Sequence, residues 1–141
     1  MNPVVREIVY SILKDLPNVY LIAPLEYPDF VNLMAKTYLI ITDSGGVQEE
    51  GPHFGIPILV LRKVTERPEA IKYGTVKLVG MNEEKIFAEA KKLISNKNYY
   101  KKMASSINPY GDGLAAKRTV DIIRNYFGFS KKVVPEFIPH K

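Results

Sequence analysis

Short apolar runs alternate with amphipathic stretches along most of this chain. Three of the runs, at residues 19–22, 38–41 and 57–61, are continuously apolar and rich in β-branched or aromatic side chains. A fourth run, at residues 76–79, is apolar except for Lys77. Strands that are apolar on both faces are typical of a parallel sheet that has helices on either side. Because helical stretches separate these runs, the pattern predicts an α/β fold with helices covering both faces of a parallel sheet.

The helical stretches show apolar residues at spacings of three and four. An opening helix is predicted that Asn2 can cap and that residues 15–18 stop. Further helices are predicted around residues 30–34, from residue 47, and over residues 67–73, 83–94, 99–105 and 115–127. The tail from Gly128 has no clean period and is either an extended strap or disordered. We therefore predict one domain at residues 1–127, followed by a carboxyl-terminal tail at residues 128–141.

Composition narrows the function classes. The 141 residues allow one compact domain, and no apolar run approaches the roughly 20 residues of a membrane span, so no membrane partner is expected. The net charge of +5 arises from 20 basic and 15 acidic residues spread over several helices, which favours solvated helix faces over nucleic-acid binding. The absence of cysteine and of a secretory signal suits a cytoplasmic protein, and with only His53 and His140 we expect no metal site and no cofactor.

The run DSGGVQEE at residues 43–50 is the most informative feature of the sequence. It joins the carboxyl end of a predicted strand to the amino end of a helix, where open parallel sheets bind ligands. Backbone N–H groups point outward there, and two glycines let a phosphate approach the main chain. The alternative is that Gly45 and Gly46 only form a tight turn while Asp43 or Ser44 only caps the helix.

Three further candidates have ordinary structural alternatives. The acidic pair Glu49 and Glu50 could accept hydrogen bonds from ribose hydroxyls, although carboxylates are also favoured in a first helical turn. Arg67 lies after the next strand and could bind two phosphate oxygens; otherwise it forms a surface ion pair with Glu66 or Glu69. Phe30 could stack on a base, but its spacing with nearby apolar residues is that of a core position.

Five ordered blocks of the sequence resemble the non-hydrolysing UDP-N-acetylglucosamine 2-epimerases. The blocks are DSGGVQEE, PILVLR, TERPEA, GTVKLVG and NPYGDG, at residues 43–50, 57–62, 65–70, 74–80 and 108–113. The resemblance runs from about residue 2 to residue 127. It implies a Rossmann-like domain, the second half of a GT-B-type architecture in which two such domains face each other across a cleft.

The resemblance also implies roles for individual residues. In this family UDP is eliminated and re-added after inversion at C2, which interconverts UDP-GlcNAc and UDP-ManNAc. The implied ligand is UDP or UDP-GlcNAc. Ser44, Gly45 and Gly46 would contact its diphosphate, and Arg67 would lie near the phosphates. Glu50 would bind the ribose hydroxyls, and Phe30 would lie beside the uracil.

The chain departs from the family pattern in two places. It lacks the amino-terminal domain and the His-Arg-Arg-Glu-Asn-type segment, so we expect no catalytic residue in this chain and no turnover by it alone. Residues 51–54 also differ, because the family usually has smaller residues there. A separate amino-terminal domain and a second copy of the chain are the expected protein partners. The competing interpretations are a non-catalytic nucleotide-sugar-binding module and half of a related glycosyltransferase.

Overall fold

A computed structural model describes residues 3–139 of the chain. The Asn2 cap and His140 therefore lie outside the described residues. The contacts divide the chain into two compact units, with the boundary between Lys36 and Thr37. The first unit carries helices α1 (Pro3–Leu13) and α2 (Tyr27–Ala35), which confirms both helices predicted there. Among the described residues, no helix is long and apolar enough to cross a membrane.

The second unit alternates strands and helices in the predicted order. Its elements are β1 (Ile40–Thr42), α3 (Gly45–Glu50), a 3₁₀ helix (Gly51–Phe54), β2 (Ile58–Val60), α4 (Pro68–Tyr73), β3 (Val76–Leu78), α5 (Glu83–Ser95), α6 (Lys97–Ala104) and α7 (Ala115–Tyr126). The strands form a parallel sheet in the order β1-β2-β3. One row of the register aligns Ile40, Ile58 and Val76.

Helices cover both faces of this sheet, as the apolar runs predict. On one face Ile58 and Val60 of β2 pack with Ala70 of α4. On the other face Leu59 packs with Leu93 of α5 and with α6. All three β2 side chains are fully buried, which explains why the central strand is apolar at every position.

The strand predicted at residues 19–22 is not formed. The sheet of the described chain contains only β1, β2 and β3, and Tyr20 and Ile22 are exposed. An apolar, β-branched run expresses a local preference, whereas a strand also requires hydrogen bonds to a neighbouring strand. The prediction for this segment was therefore wrong because composition does not reveal whether a pairing partner is present.

Gly51 lets the 3₁₀ helix approach β2 closely. A β-carbon on Gly51 would stand 2.4 Å from Cδ1 of Ile58, a fully buried residue. Gly51 and Pro52 are themselves buried, so the contact is tightly packed. The contact holds the carboxyl-terminal end of the helical segment that starts at Gly45 against the central strand.

The tail runs back along α7 as an extended strap. Lys132 forms an ion pair with Asp121 at 2.6 Å, and its carbonyl accepts a hydrogen bond from Asn125. The guanidinium of Arg118 lies 5.7 Å from the ring centre of Phe137. These contacts favour the strap over the disordered alternative, whereas the boundary of the domain at residue 127 stays a prediction.

Candidate functional site

The glycine corner, residues 44–46, lies where β1 leads into α3. β1 ends at Thr42 and α3 begins at Gly45, so the corner stands at the carboxyl end of a strand of the parallel sheet. Ser44 caps α3, because its extended backbone lets Oγ accept a hydrogen bond from Val47 N at 3.5 Å. The capping alternative is therefore real, but it uses only the acceptor capacity of the hydroxyl.

The amides of Gly45 and Gly46 are available to a ligand. Within residues 3–139, neither amide donates a hydrogen bond, as expected for the first turn of a helix. Ser44 N differs, since it donates to Thr42 Oγ1 at 3.0 Å. A phosphate oxygen at this corner would thus meet two free N–H donors and a serine hydroxyl.

Arg67 lies beside the corner and is held by α3. Its Nε donates to Oε1 of Glu49, and both side chains are partly exposed. The expected alternative of an ion pair with Glu66 or Glu69 is wrong, because Glu66 pairs instead with Arg62 at 3.1 Å. A partly exposed guanidinium can exchange a carboxylate for a phosphate, since both accept paired N–H donors.

A buried glutamine joins the glycine corner to the loop that carries Arg67. Gln48 is fully buried; its Nε2 donates to the Ser44 carbonyl at 3.0 Å, and its Oε1 accepts from the Thr65 hydroxyl at 2.7 Å. Thr65 Oγ1 in turn accepts from Arg67 N at 3.1 Å. Both polar ends of Gln48 are satisfied, so burial costs little and the link is rigid.

The second acidic residue of the pair lies next to the corner. Glu50 Oε1 is 3.9 Å from where a β-carbon on Gly46 would stand. The carboxylate of Glu66 is also close, because its Oε1 is 3.2 Å from the corresponding position on Gly45. Carboxylate oxygens therefore approach both glycines.

Two pKa shifts reflect the electrostatics of this region. A hydrogen bond from its own backbone amide, together with the charge of Arg62, lowers the pKa of the Glu66 carboxyl below its ordinary value. Burial raises the pKa of Tyr110, whose hydroxyl donates to the Arg67 carbonyl at 3.4 Å. Tyr110 thus stays neutral at physiological pH and supports the loop from the core side.

Comparison with known proteins identifies the family. The family model described as UDP-N-acetylglucosamine 2-epimerase matches residues 1–124, most of the chain. The chain belongs to the UDP-N-acetylglucosamine 2-epimerase family. A Bacillus subtilis UDP-N-acetylglucosamine 2-epimerase is 49% identical over 97% of this chain and 36% of its own length. An Escherichia coli K12 enzyme of that name is 50% identical over 89% of the chain, which spans 33% of the relative.

Solved structures of UDP-N-acetylglucosamine 2-epimerases have the same fold. Staphylococcus aureus MnaA, solved with UDP, superposes with a TM-score of 0.92 at 45% identity, over 96% of this chain and 37% of MnaA. The Neisseria meningitidis UDP-GlcNAc 2-epimerase, solved with UDP-GlcNAc, gives a TM-score of 0.84 at 49% identity, over 89% of this chain and 34% of that enzyme. The prediction of a Rossmann-like domain corresponding to the second half of a GT-B-type architecture is thereby confirmed. The chain spans about a third of the length of these relatives.

The structure brings most of the predicted site residues into the second unit of this epimerase-family chain. Ser44, the two glycines, Glu50 and Arg67 all lie there, whereas Phe30 lies on α2 in the first unit, where it is half-buried. Sequence reasoning missed the supporting residues, which are Gln48, Glu49 as the partner of Arg67, Thr65 and Tyr110. The family blocks contain all four, but a glutamine inside a polar helical turn gives no sign of being buried.

Proposed function

We propose that this chain is the UDP-binding half of a UDP-N-acetylglucosamine 2-epimerase. Ser44, Gly45 and Gly46 bind the diphosphate, Arg67 closes on the phosphates, Glu50 accepts from the ribose hydroxyls, and Phe30 contacts the uracil. The proposal rests on one observation, the pair of free amides at the glycine corner beside a partly exposed arginine. The relatives that were solved with UDP or with UDP-GlcNAc support the ligand class.

The geometry suits a reaction in which UDP leaves and returns. Elimination of UDP places additional negative charge on the departing diphosphate, which must remain bound until it is re-added. Amides that are already oriented, together with a guanidinium, stabilise that charge without reorganising. Binding energy at this corner is therefore greatest when the charge develops, which is the requirement for catalysis.

The groups that move the C2 proton belong to another part of the enzyme. Removing that proton from one face and returning a proton to the other requires an acid and a base. We propose that the 141-residue chain alone binds UDP without epimerising, and that it does so in the cytoplasm. A non-catalytic binding module would also bind UDP without epimerising it. The two functions can therefore be distinguished only by adding a partner polypeptide and measuring turnover.

An exposed apolar face on α7 supports the need for a protein partner. The face comprises Val120 and Ile123 on α7 and Phe127 at its carboxyl-terminal cap, which follow a spacing of three and four and are each more than half exposed. A polypeptide equivalent to the remaining two thirds of the relatives would bury such a face. A second copy of the chain is the competing occupant, and a concentration-dependent dimer in sedimentation experiments would identify it.

Calorimetric titration with UDP tests the binding proposal. We expect saturable binding that Arg67→Ala weakens at least about tenfold, because a hydrogen bond to a charged group contributes roughly 1.5–3 kcal/mol. Arg124→Ala, which removes an exposed arginine of α7, should leave the affinity unchanged. A folded chain that does not bind millimolar UDP would refute the proposal.

Reconstitution tests the catalytic half of the proposal. Mixing this chain with the separately expressed amino-terminal domain of a relative should produce UDP-ManNAc from UDP-GlcNAc, whereas neither polypeptide alone should do so. Turnover by this chain alone would overturn the assignment of the acid and base to another part. Reconstitution that survives Arg67→Ala unchanged would overturn the role of Arg67.

A further inference from the structure

We infer that Gln48 and Thr65 are positioning residues, which fix Arg67 relative to the glycine corner so that one diphosphate contacts both. The inference rests on the proposed function. It adds to it a specific physical link between two binding elements that are 21 residues apart along the chain, from Gly46 to Arg67. Neither Gln48 nor Thr65 needs to touch the ligand.

The link consists of three consecutive hydrogen bonds. The Ser44 carbonyl accepts from Gln48 Nε2 at 3.0 Å, Gln48 Oε1 accepts from the Thr65 hydroxyl at 2.7 Å, and Thr65 Oγ1 accepts from Arg67 N at 3.1 Å. The Thr65 hydroxyl is therefore both donor and acceptor at the middle of the chain. The first bond reaches the backbone of Ser44 and the third reaches the backbone of Arg67, while the second joins the side chains of Gln48 and Thr65.

Burial makes this link selective for one geometry. Gln48 is fully buried, so breaking either of its bonds would leave a polar atom without water or a partner. The backbone of Arg67 cannot then move away from the corner without breaking a bond at Thr65. The side chain of Arg67 is tied separately, by Glu49, which is the residue after Gln48 on α3.

The hydrogen-bonded link fixes the separation between the two ends of the site. A diphosphate spanning the two free amides and the guanidinium gains from both only if their separation is set beforehand, since positioning before binding removes an entropy cost. The Tyr110 hydroxyl also donates to the Arg67 carbonyl, at 3.4 Å, so the loop is held at a second point. Gln48 and Thr65 hold the side facing α3.

Substitutions at Thr65 separate positioning from general stability. Thr65→Val keeps the shape of the side chain but removes the hydroxyl. We expect it to lower the affinity for UDP and for inorganic pyrophosphate about tenfold. Thr65→Ser keeps the hydroxyl and should bind both within about twofold of the parent chain. A folded Thr65→Val chain that binds UDP as tightly as the parent would overturn the inference.

A double variant shows whether the effect passes through Arg67. If Thr65 acts by positioning Arg67, then Thr65→Val should cost no further affinity in a chain that already carries Arg67→Ala. Fully additive losses would overturn the inference, because they would place Thr65 in a separate role. If Thr65→Val does not fold, Thr65→Ala, which also removes the hydroxyl, is compared in the parent and Arg67→Ala backgrounds, and equal losses in both again refute coupling. Failure of the parent chain to bind UDP would instead refute the proposed function.

Discussion

Two charged clusters in the second unit use similar residues for different purposes. The corner network comprises Ser44, Gln48, Glu49, Thr65 and Arg67, at the carboxyl ends of β1 and β2. The Lys77 cluster comprises Lys77, Glu89 and Tyr99, which join β3, α5 and α6. Both contain a cation paired with a carboxylate, but only the corner network has unused donors beside it.

The Lys77 cluster is closed. Lys77 Nζ lies 2.6 Å from Glu89 Oε1 and donates to the Tyr99 hydroxyl at 3.2 Å, while that hydroxyl donates to Glu89 Oε2 at 3.1 Å. The Lys92 ammonium also lies 4.2 Å from the Tyr99 ring centre. Every charge in this cluster therefore has a partner, and the function of the cluster is to tie two helices to the edge strand.

The difference shows that an ion pair becomes a candidate binding group only when its surroundings remain unsatisfied. Arg67 and Glu49 form an ion pair, as Lys77 and Glu89 do, yet two free amides lie beside the former. Changes to the exposed groups of the corner, Gly46 and the Arg67 side chain, should therefore alter ligand affinity with little effect on stability. Changes in the Lys77 cluster should instead lower the stability of the fold with little effect on ligand affinity.

The largest expected effect is on affinity, from Gly46→Ala. Its β-carbon would meet only Glu50 Oε1 and Ser44 Oγ, both at an ordinary 3.9 Å, so the fold accommodates it. Alanine also favours the helix by up to about 1 kcal/mol over glycine. The methyl group would, however, stand where a phosphate approaches the amide, and UDP affinity should fall at least about tenfold.

Calorimetry and urea unfolding, measured on the same preparation, check both halves of this expectation. A variant that is as stable as the parent and binds UDP equally well would remove the basis for the comparison. Loss of both properties together would mean that Gly46 is a structural glycine only.

The next effect is on stability, from Lys77→Met. It leaves the Glu89 carboxylate, whose side chain is only 17% exposed, without its cation. We expect a loss of about 1 kcal/mol in the free energy of unfolding, reduced from the value for a fully buried charged hydrogen bond because Lys77 is itself partly exposed. UDP affinity should not change.

Lys72→Met is the matched control for this substitution. Lys72 is exposed on α4 and, within residues 3–139, forms no recorded ion pair. Urea unfolding should therefore separate the two variants. Equal losses would show that the Lys77 cluster contributes nothing beyond an ordinary surface lysine.

Acidification tests the same cluster through Glu89. Partial burial alone would raise the pKa of Glu89, but hydrogen bonds from Lys77 and Tyr99 outweigh it and lower the pKa below its ordinary value of 4.5. A lowered folded pKa stabilises the protein above the unfolded value, and this stabilisation is lost as the pH falls through the folded value. Stability should thus decline below about pH 4.5 more steeply in the parent than in Glu89→Gln.

Unfolding curves at pH 7, 5 and 3.5 provide the measurement. The difference between the two chains isolates Glu89 from other carboxyls such as Asp112, whose pKa is also lowered, by its hydrogen bonds with Arg118. Parallel stability profiles for the two chains would contradict the assigned pKa direction.

The sequence predicts the strands and the glycine corner, but it does not predict which charged residues pair. The strands around residues 40–42 and 58–60 were predictable because each lies in a compact apolar run, and the strand at 76–78 because valine and leucine flank its single lysine. The glycine corner was predictable because it joins one of these strands to a helix. The partners of the charged residues were not, since an ion pair depends on where two elements meet. Arg67 pairs with Glu49, 18 residues away, whereas its sequence neighbours offered closer carboxylates.

The smallest expected effect concerns Glu66, the carboxylate nearest Gly45. Its Oε1 lies 3.2 Å from where a β-carbon on Gly45 would stand, and Arg62 holds it there. A negative charge beside the free amides opposes a diphosphate, so Glu66→Gln should tighten UDP binding, by about two- to fivefold because an exposed charge is strongly screened. The gain should shrink as salt is added.

Glu69→Gln is the control, because Glu69 is also an exposed glutamate but lies on α4 rather than beside Gly45. If Glu66 acts as a competing anion, only Glu66→Gln should tighten UDP binding, and the tightening should be greatest at low salt. If Glu66→Gln instead weakens UDP binding, the Arg62–Glu66 pair belongs with Gln48 and Thr65 as support for the loop. The corner would then resemble the Lys77 cluster more closely, with its free amides as the one remaining distinction.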